Sequence, residues 1–324
     1  MTNLLIALVV ILTIAALVQL VRVNELLSEI TNTDTNEVTD EDNNKNGIFF
    51  LLTIPLFLGF VVWQMVTWDH LLLPPASSVH GAEIDSLMKV SMTLILIVFF
   101  ALTPMLFFFA YKYRGKKEKK AYFFSHNNKL EVVWTVVPTI ILTALIIYGL
   151  RTWDRAMNPD LAKSTVIEVY SKQFDWTARY SGADNILGES SYLLVEGKNV
   201  LGVDMLDENS GDDVVVREVH LPVNKPVLLK FRSRDVIHSA FLPHFRVQMN
   251  CVPGLSTQFG FTPTKTTTQM KESEGEDFEY VLLCNKICGA AHFNMQMKFI
   301  VESEEDYNKW INSQKKLKNT LTLK

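Results

Sequence analysis

The sequence predicts an α-helical transmembrane anchor followed by an all-β sandwich domain. Two observations on the 324-residue chain support this prediction. Apolar residues are concentrated in the first half, in four stretches that each approach the roughly 20 residues needed to cross a bilayer. From about residue 165 the pattern changes to short apolar or alternating runs separated by Gly, Pro, Asn and Asp, which is typical of a β-sandwich or barrel. The net charge of −4 argues against a nucleic-acid partner.

The predicted membrane helices are residues 1–22, 47–68, 87–111 and 130–151. For the first, a retained helix is favoured over a signal peptide, because residues 1–3 carry no Lys or Arg and the apolar run is longer than a usual signal sequence. The fourth contains Pro138, which membrane helices tolerate when neighbouring groups satisfy the freed carbonyl. Residues 23–46 are polar and acidic and are predicted to form a flexible loop.

A cluster of basic residues orients these helices. It lies between the third and fourth helices and comprises Lys112, Arg114, Lys116, Lys117, Lys119, Lys120 and Lys129. The positive-inside rule places this segment in the cytoplasm, so the part of the chain after the fourth helix lies outside. We therefore expect a multi-pass protein of a bacterial inner membrane with a periplasmic C-terminal domain. The acidic 23–46 loop would share the cytoplasmic side without a cluster of basic residues to support that placement, since Lys45 is its one basic residue.

The predicted β-domain spans residues 160–316. Its strand-like runs are residues 165–170, 213–221, 226–231, 278–284 and 297–302. Ser303 and the acidic residues after it form a helix-capping pattern. That pattern predicts a short C-terminal helix ending near Gln314.

The segment from Cys284 to Met295 carries the most informative chemistry. It places two thiols, an imidazole and a thioether within twelve residues, directly after a predicted strand. Soft thiolate and thioether ligands combined with imidazole select copper over hard cations. Two thiolates four residues apart could bridge two copper ions that share one electron. His292 would supply one imidazole, and His238, which follows an earlier strand, is the best candidate for the other.

Two other readings of these residues exist. Four soft ligands also suit a structural zinc site, and Cys284 and Cys288 could form a disulfide in an extracytoplasmic compartment. The upstream histidine and the trailing methionine favour copper. His244 and Cys251 fall outside the pattern and are predicted to be structural, since free cysteine commonly packs as a small apolar side chain.

These residues resemble subunit II of cytochrome c oxidases. The family pattern is Cys-x-Glu-x-Cys-x3-His-x2-Met, preceded some 46 residues earlier by Asp-Val-x-His-Ser. The resemblance runs from about residue 87 to residue 310, so the first two helices are additional to the two-helix hairpin of the family. It implies a cupredoxin-like fold with a dinuclear copper centre, CuA. The implied ligands are His238, Cys284, the backbone carbonyl of Lys286, Cys288, His292 and Met295.

The resemblance also implies a function and partners. Such a subunit accepts electrons from cytochrome c at CuA and passes them to haem in subunit I, where oxygen is reduced and protons are pumped. Subunit III, and a larger respiratory assembly, are further expected partners. The enzyme activity belongs to the complex, and the chain lacks the Cys-x2-Cys-His motif of a covalently attached haem.

Three further positions take roles only through the resemblance. Glu131 matches a glutamate at the mouth of a proton-uptake channel. Phe174 and Trp176 match an aromatic patch that receives electrons, in which the first position is usually Trp. Lys286 replaces a glutamate whose carboxylate reaches a magnesium ion at the subunit I boundary, which puts that magnesium site in doubt.

Three alternative functions share some of these sequence features. A quinol oxidase subunit II keeps the fold but lacks copper, whereas this chain has the intact ligand set. A copper-delivery protein with a thioredoxin fold would lack the histidine four residues after the second cysteine. A nitrous oxide reductase requires a large propeller for which this chain has no room.

Overall fold

The computed structural model describes residues 2–31 and 37–321, with side chains described for 6–31 and 37–319. The chain divides into two compact units. The first contains residues 1–67 and 96–127, and the second contains residues 68–95 and 128–324.

Four long helices lie in the first half of the chain. They are α1 (Thr2–Thr31), α2 (Asp40–Thr67), α3 (Val79–Lys112) and α4 (Asn128–Met157). Within the described residues, these four are the helices with the length and apolar composition needed to span a membrane. This confirms the predicted helical anchor, although every helix extends beyond the range predicted for it on at least one side.

The flexible loop predicted for residues 23–46 is wrong at both ends. Residues 23–31 continue α1, because Glu25, Leu26 and Leu27 are good helix formers. α2 begins early because the Thr39 hydroxyl accepts a hydrogen bond from the Asp42 N–H, while acidic residues in the first turn favour the helix dipole. Residues 32–36 lie outside the described part of the chain.

The acidic start of α2 contacts the basic segment that follows α3 within the first unit. Arg114 Nε donates to Asn44 Oδ1 at 2.6 Å, and the Lys117 N–H donates to Asp40 Oδ1 at 2.9 Å. Lys117 Nζ also lies 3.1 Å from Glu37 Oε1. Glu37 thus has a basic partner in Lys117, and Asp40 and Asn44 accept hydrogen bonds from the basic segment, which the sequence alone did not reveal.

The second half of the chain is a β-sandwich, as predicted. One five-stranded sheet has the order β3-β2-β1-β5-β8, and the other has the order β4-β10-β9-β6-β7. The strands are β1 (Thr165–Lys172), β2 (Asp175–Tyr180), β3 (Val214–Val216), β4 (Val219–Pro222), β5 (Val227–Ser233), β6 (His238–Leu242), β7 (Val247–Cys251), β8 (Thr257–Phe261), β9 (Tyr280–Cys284) and β10 (Gln296–Glu302). The β1–β5 and β4–β10 pairs are parallel, and the other pairs are antiparallel.

Three short helices accompany the sheets. They are α5 (Thr267–Glu274), α6 (Glu304–Ser313) and α7 (Leu317–Leu321). Ser303 caps α6 by accepting a hydrogen bond from the Asp306 N–H, as the capping pattern predicts. The single strand predicted over residues 213–221 is instead two strands in different sheets, because the chain crosses from one sheet to the other at Arg217 and Glu218.

Large side chains fill the space between the two sheets. Trp176, Phe231, Phe245, Tyr280 and Phe299 are all less than 2 % exposed. Aligned sheets of this kind bury one face of each strand against the other sheet. The core therefore fixes the strand ends that carry the candidate metal ligands.

A buried ionic network lies on β1, β2 and β5. Arg179 is 3.0 Å from Glu168 and 2.8 Å from Asp213, and Arg232 pairs with the other oxygen of Glu168. Burial alone would raise the pKa of Glu168, but Arg179 and Arg232 together hold it below its ordinary value. The segment between β2 and β3 covers the network, since Arg179 also donates to the carbonyl of Gly188. This cover explains why β1 is buried along nearly its whole length instead of alternating.

The start of α3 is hydrogen-bonded to the β-domain. Ser77 donates its N–H to the His244 carbonyl at 2.7 Å and accepts from the Thr264 N–H at 2.8 Å. Arg246 binds both carboxylate oxygens of Asp85 at 2.8 and 2.9 Å. Backbone and side-chain contacts thus fasten the helix to the sandwich.

Candidate metal centre

The loop after β9 is folded back beside the start of β6. The Cys284 N–H donates to the Met295 carbonyl at 3.1 Å, and the Asn285 N–H donates to the Ser239 carbonyl at 2.9 Å. A short 3₁₀ turn, His292–Asn294, reverses the loop before β10. These backbone bonds bring residues that are some 46 positions apart in the sequence to one end of the sandwich.

All the predicted side-chain ligands converge at this end. His238 Nδ1 lies 3.8 Å from Cys284 Sγ, the two cysteine sulfurs are 3.9 Å apart, and His292 Nδ1 lies 3.7 Å from Cys288 Sγ. Met295 Sδ is 3.9 Å from Cys288 Sγ, and the Lys286 carbonyl oxygen is 3.3 Å from Cys284 Sγ. Each cysteine therefore has its own imidazole, and the two halves meet at the pair of sulfurs.

The donor set fits copper. Thiolate, thioether and imidazole donors suit soft transition metals, and the donor atoms of His238, Cys284 and Cys288 all lie within 4.8 Å of one another. Burial, together with a smaller contribution from the neighbouring Cys284, raises the pKa of the Cys288 thiol to about 11. Since a metal binds the thiolate, metal binding here must release thiol protons.

Asp235 holds His238 in the orientation that the centre requires. The Nε2 of His238 is 2.9 Å from Asp235 Oδ1, so the opposite ring nitrogen, Nδ1, faces Cys284. Burial would raise the pKa of Asp235, but hydrogen bonds from the Gln173 N–H and from His238 lower it below its ordinary value. Carboxylates behind metal-binding histidines commonly fix the tautomer and the ring orientation in this way.

The turn between β1 and β2 packs on the same loop. Gln173 Nε2 donates to the Cys288 carbonyl at 2.5 Å. The ring of Phe174 lies against Gly289, where a Cβ would come within 2.7 Å of the ring, and Gly289 has a φ of 142°, which L side chains rarely adopt. Glycine is thus required at this position, and Phe174 is a partly buried neighbour of the centre.

Trp176 lies in the interior of the β-domain. Its ring is 1 % exposed and packs edge-on against His238 at a centroid distance of 6.1 Å. The indole of Trp176 therefore belongs to the core between the sheets, and the electron-entry role that the resemblance implies for it stays a prediction. Of the two aromatics, only Phe174 reaches the surface of the domain.

The remaining predicted residues lie away from the donors. Glu131 is in the first turn of α4, so about 40 Å of helix separates it from Met157 at the far end. The Lys286 side chain is exposed, so only its carbonyl faces the sulfurs. His244 packs against Phe278 and Tyr280.

Cys251 is fully buried opposite His238, in neighbouring strands, and burial raises the pKa of its thiol to about 12. Its packing agrees with the structural role expected for it. Sequence reasoning missed the roles of Gln173 and Asp235. The spacing Asp235-x-x-His238 was the one sequence signal that could have revealed the role of Asp235.

Comparisons with known proteins agree with this architecture. The family profile for the transmembrane domain of cytochrome c oxidase subunit II matches residues 63–152, and the profile for its periplasmic domain matches residues 165–303. The two matched ranges contain three of the four long helices, at least in part, and the whole β-sandwich.

Individual relatives extend the comparison. The alternative cytochrome c oxidase subunit 2 of Bradyrhizobium diazoefficiens is 34% identical over 221 residues, which cover 67% of this chain and 76% of that protein. The cytochrome c oxidase subunit 2 of a Synechocystis species is 22% identical over 80% of this chain and 81% of its own length. The solved periplasmic domain of subunit II of a cytochrome oxidase from Bradyrhizobium japonicum is 24% identical, with a TM-score of 0.32 over 47% of this chain and 93% of that domain.

A helical membrane anchor, a periplasmic cupredoxin-like sandwich and a copper-type donor set thus occur together in one chain, and both profiles match it. The chain belongs to the cytochrome c oxidase subunit II family, the membrane-anchored subunits of haem–copper oxidases.

Proposed function

We propose that this chain accepts electrons from cytochrome c at a dinuclear CuA centre and passes them to haem in subunit I, where oxygen reduction is coupled to proton pumping. The observation that carries the proposal is the convergence of His238, Cys284, Cys288, His292 and Met295 at one end of the sandwich. A structural zinc site would need four ligands around one point. Here each of the two imidazoles lies beside a different sulfur of the pair, which favours two metal ions.

Each ligand has a distinct task in this proposal. Cys284 and Cys288 would bridge the two ions, while His238 and His292 would each bind one of them. Met295 and the Lys286 carbonyl would be the weak ligands, one for each ion. When bound, the copper pair supplies one-electron redox chemistry.

The protein around the ligands restrains them. Asp235 fixes the ring of His238, and Gln173 fixes the carbonyl of Cys288. Side chains that are already oriented need little rearrangement when the charge of the centre changes. The buried donors, with His238 and Met295 at most 1 % exposed, also keep water from the redox centre.

Electrons would arrive through Phe174. Its ring touches Gly289 in the ligand loop and is the aromatic of the pair with surface access. Trp176 would not contact the donor protein. It would instead pack against His238 from inside the domain. Phe lacks the indole N–H of tryptophan, so a donor would meet an apolar surface at this point.

Proton uptake is proposed for Glu131 at the cytoplasmic end of α4. The supporting observations are its position in the first turn and the basic segment that precedes it. Ionisable residues at membrane depth are functional candidates by default. Subunits I and III in a bacterial inner membrane would be the surrounding partners.

Lys286 sets this chain apart from the family pattern. An ammonium group has no lone pair for a hard cation, whereas a carboxylate has several. We propose that no magnesium ion is bound through this side chain, and that the Lys286 ammonium provides a fixed positive charge near the boundary with subunit I.

Rapid mixing of the purified oxidase with reduced cytochrome c tests the electron-transfer proposal. In the wild type, absorbance of the copper centre should change first and haem reduction should follow. Cys288→Ser should abolish the first phase and slow haem reduction by orders of magnitude. The matched variant Cys251→Ser changes a buried cysteine outside the donor set and should retain both phases. Haem reduction at the wild-type rate in an assembled Cys288→Ser oxidase would refute the proposal.

A further inference from the structure

The segment between α3 and α4 presents three consecutive aromatic side chains to solvent. Tyr122, Phe123 and Phe124 are 87, 88 and 59 % exposed, and the rings of Tyr122 and Phe124 contact each other at 6.1 Å. Single exposed apolar residues are ordinary, but a contiguous apolar surface of this kind marks an interaction site. Neither electron transfer nor proton uptake uses these residues.

Basic side chains flank the aromatics. Lys119 and Lys120 precede them, separated only by Ala121; both are exposed, and neither makes an ion pair with any described residue. Lys117 differs, because it is paired with Glu37. We call residues 119–124 the aromatic–lysine loop. It combines two free ammonium groups with three exposed rings in six residues.

The position of the loop limits what can cover it. It lies between the last residue of α3, Lys112, and the first residue of α4, Asn128, and both helices have the length and apolarity of membrane spans. The connecting segment 113–127, which contains the loop, therefore starts and ends at a membrane–water border. Since the domain after α4 is periplasmic, this border is the cytoplasmic one.

Lipid headgroups match the chemistry of the loop better than a protein surface does. Tyrosine and other amphipathic aromatics concentrate at the level of the headgroups, and lysines near a membrane are attracted to anionic phospholipids. An apolar group and a positive charge together bind such a surface more firmly than either does alone. We propose that the aromatic–lysine loop binds anionic phospholipids of the cytoplasmic leaflet.

A local fluorescence measurement on the intact oxidase tests this inference. Ala121→Cys would be labelled with a small fluorophore beside Tyr122, and the native cysteines of this chain are buried and poorly reactive. The labelled oxidase would be reconstituted in phosphatidylcholine vesicles containing spin-labelled phosphatidylglycerol or spin-labelled phosphatidylcholine. We expect the anionic quencher to reach half-quenching at a mole fraction about fivefold lower than the neutral one, as expected for lysines close to an anionic surface.

Matched variants assign the effect. Lys119→Gln with Lys120→Gln should abolish the preference for the anionic lipid, whereas Lys198→Gln with Lys265→Gln, two exposed lysines of the periplasmic domain, should leave it unchanged. Tyr122→Ser with Phe123→Ser should weaken quenching by both lipids. Equal quenching by the two lipids would overturn the proposal. Absence of quenching by either would also overturn it, and would show that a protein subunit covers the loop.

Discussion

Gln173 donates a hydrogen bond from its side-chain amide to the backbone carbonyl of Cys288 at 2.5 Å. This bond joins the turn between β1 and β2 to the loop after β9, which carries the Lys286 carbonyl, Cys288, His292 and Met295. It also holds Phe174, the next residue, against Gly289.

Replacing Gln173 should therefore perturb the copper centre without removing a ligand. In Gln173→Leu the Cys288 carbonyl loses its donor, so we expect a shifted near-infrared absorption of the copper pair. We also expect a stability loss of about 1 kcal/mol, which is typical of one hydrogen bond. Gln258→Leu is the control, since Gln258 donates at 2.7 Å to the carbonyl of Met157, at the end of α4 and not in the ligand loop. Identical spectra in the two variants would contradict the role assigned to Gln173.

Copper content gives a direct test of the donor set. Metal analysis of the wild type should find two copper ions in this subunit, with an electron paramagnetic resonance spectrum in which one unpaired electron couples to both nuclei. Cys284→Ser and Cys288→Ser should each lose that shared-electron signal, because each removes a bridging sulfur. Cys251→Ser should keep it. A wild-type subunit that contains one zinc and no copper would end the hypothesis.

Manganese tests the proposal for Lys286, because it occupies magnesium sites and is visible by electron paramagnetic resonance. Oxidase purified from cells grown with manganese should show no stoichiometric signal in the wild type, since Lys286 repels divalent cations at short range. Lys286→Glu should restore a bound-manganese signal while leaving the copper spectrum intact, because the ligand at this position is the backbone carbonyl. A full manganese signal in the wild type would rule out displacement.

Glu131 should affect proton transfer and not electron acceptance. In Glu131→Ala, proton-coupled reduction of the oxygen-reducing site should slow, while reduction of the copper centre by cytochrome c should keep its rate. Glu118→Ala removes an exposed carboxylate from the basic segment between the same two helices and should change neither step. If both steps slow equally in Glu131→Ala, or if neither does, the assignment is wrong.

Removing a charge from the buried network on β1 and β2 should lower the free energy of unfolding more than removing a charge from an exposed ion pair. Arg179→Met leaves Glu168 and Asp213 buried without their shared partner, and breaking such a pair typically costs about 3–5 kcal/mol. Arg217→Met removes an exposed pair with Asp175 and should cost at most about 1 kcal/mol. Denaturant unfolding of the purified protein measures both. Equal losses would mean that the network does not hold the segment between β2 and β3.

The sequence predicted the architecture well, and the side chains predicted as ligands lie close together in the structure, for a physical reason. Membrane spans and soft-metal ligands both leave local signals, namely long apolar runs and the spacing of Cys284, Cys288 and His292. The β2, β6, β7 and β8 strands were not predicted. Trp176 and His238, for example, lie in short segments whose burial depends on distant strands. The contact of Gln173 with Cys288 joins residues 115 positions apart, and no local pattern encodes such a pair.

The hydrogen bonds of Ser77 and the ion pair between Arg246 and Asp85 have a mechanical consequence. On a flexible connection the β-domain would move, and the proposed copper centre would sample a range of distances from the next electron carrier. Electron tunnelling weakens exponentially with distance, so this movement would give a wide range of electron-transfer rates. The bonds of Ser77, just before α3, and of Asp85, in the second turn of α3, make this junction stiff instead, because the start of the helix cannot rotate without breaking several hydrogen bonds at once.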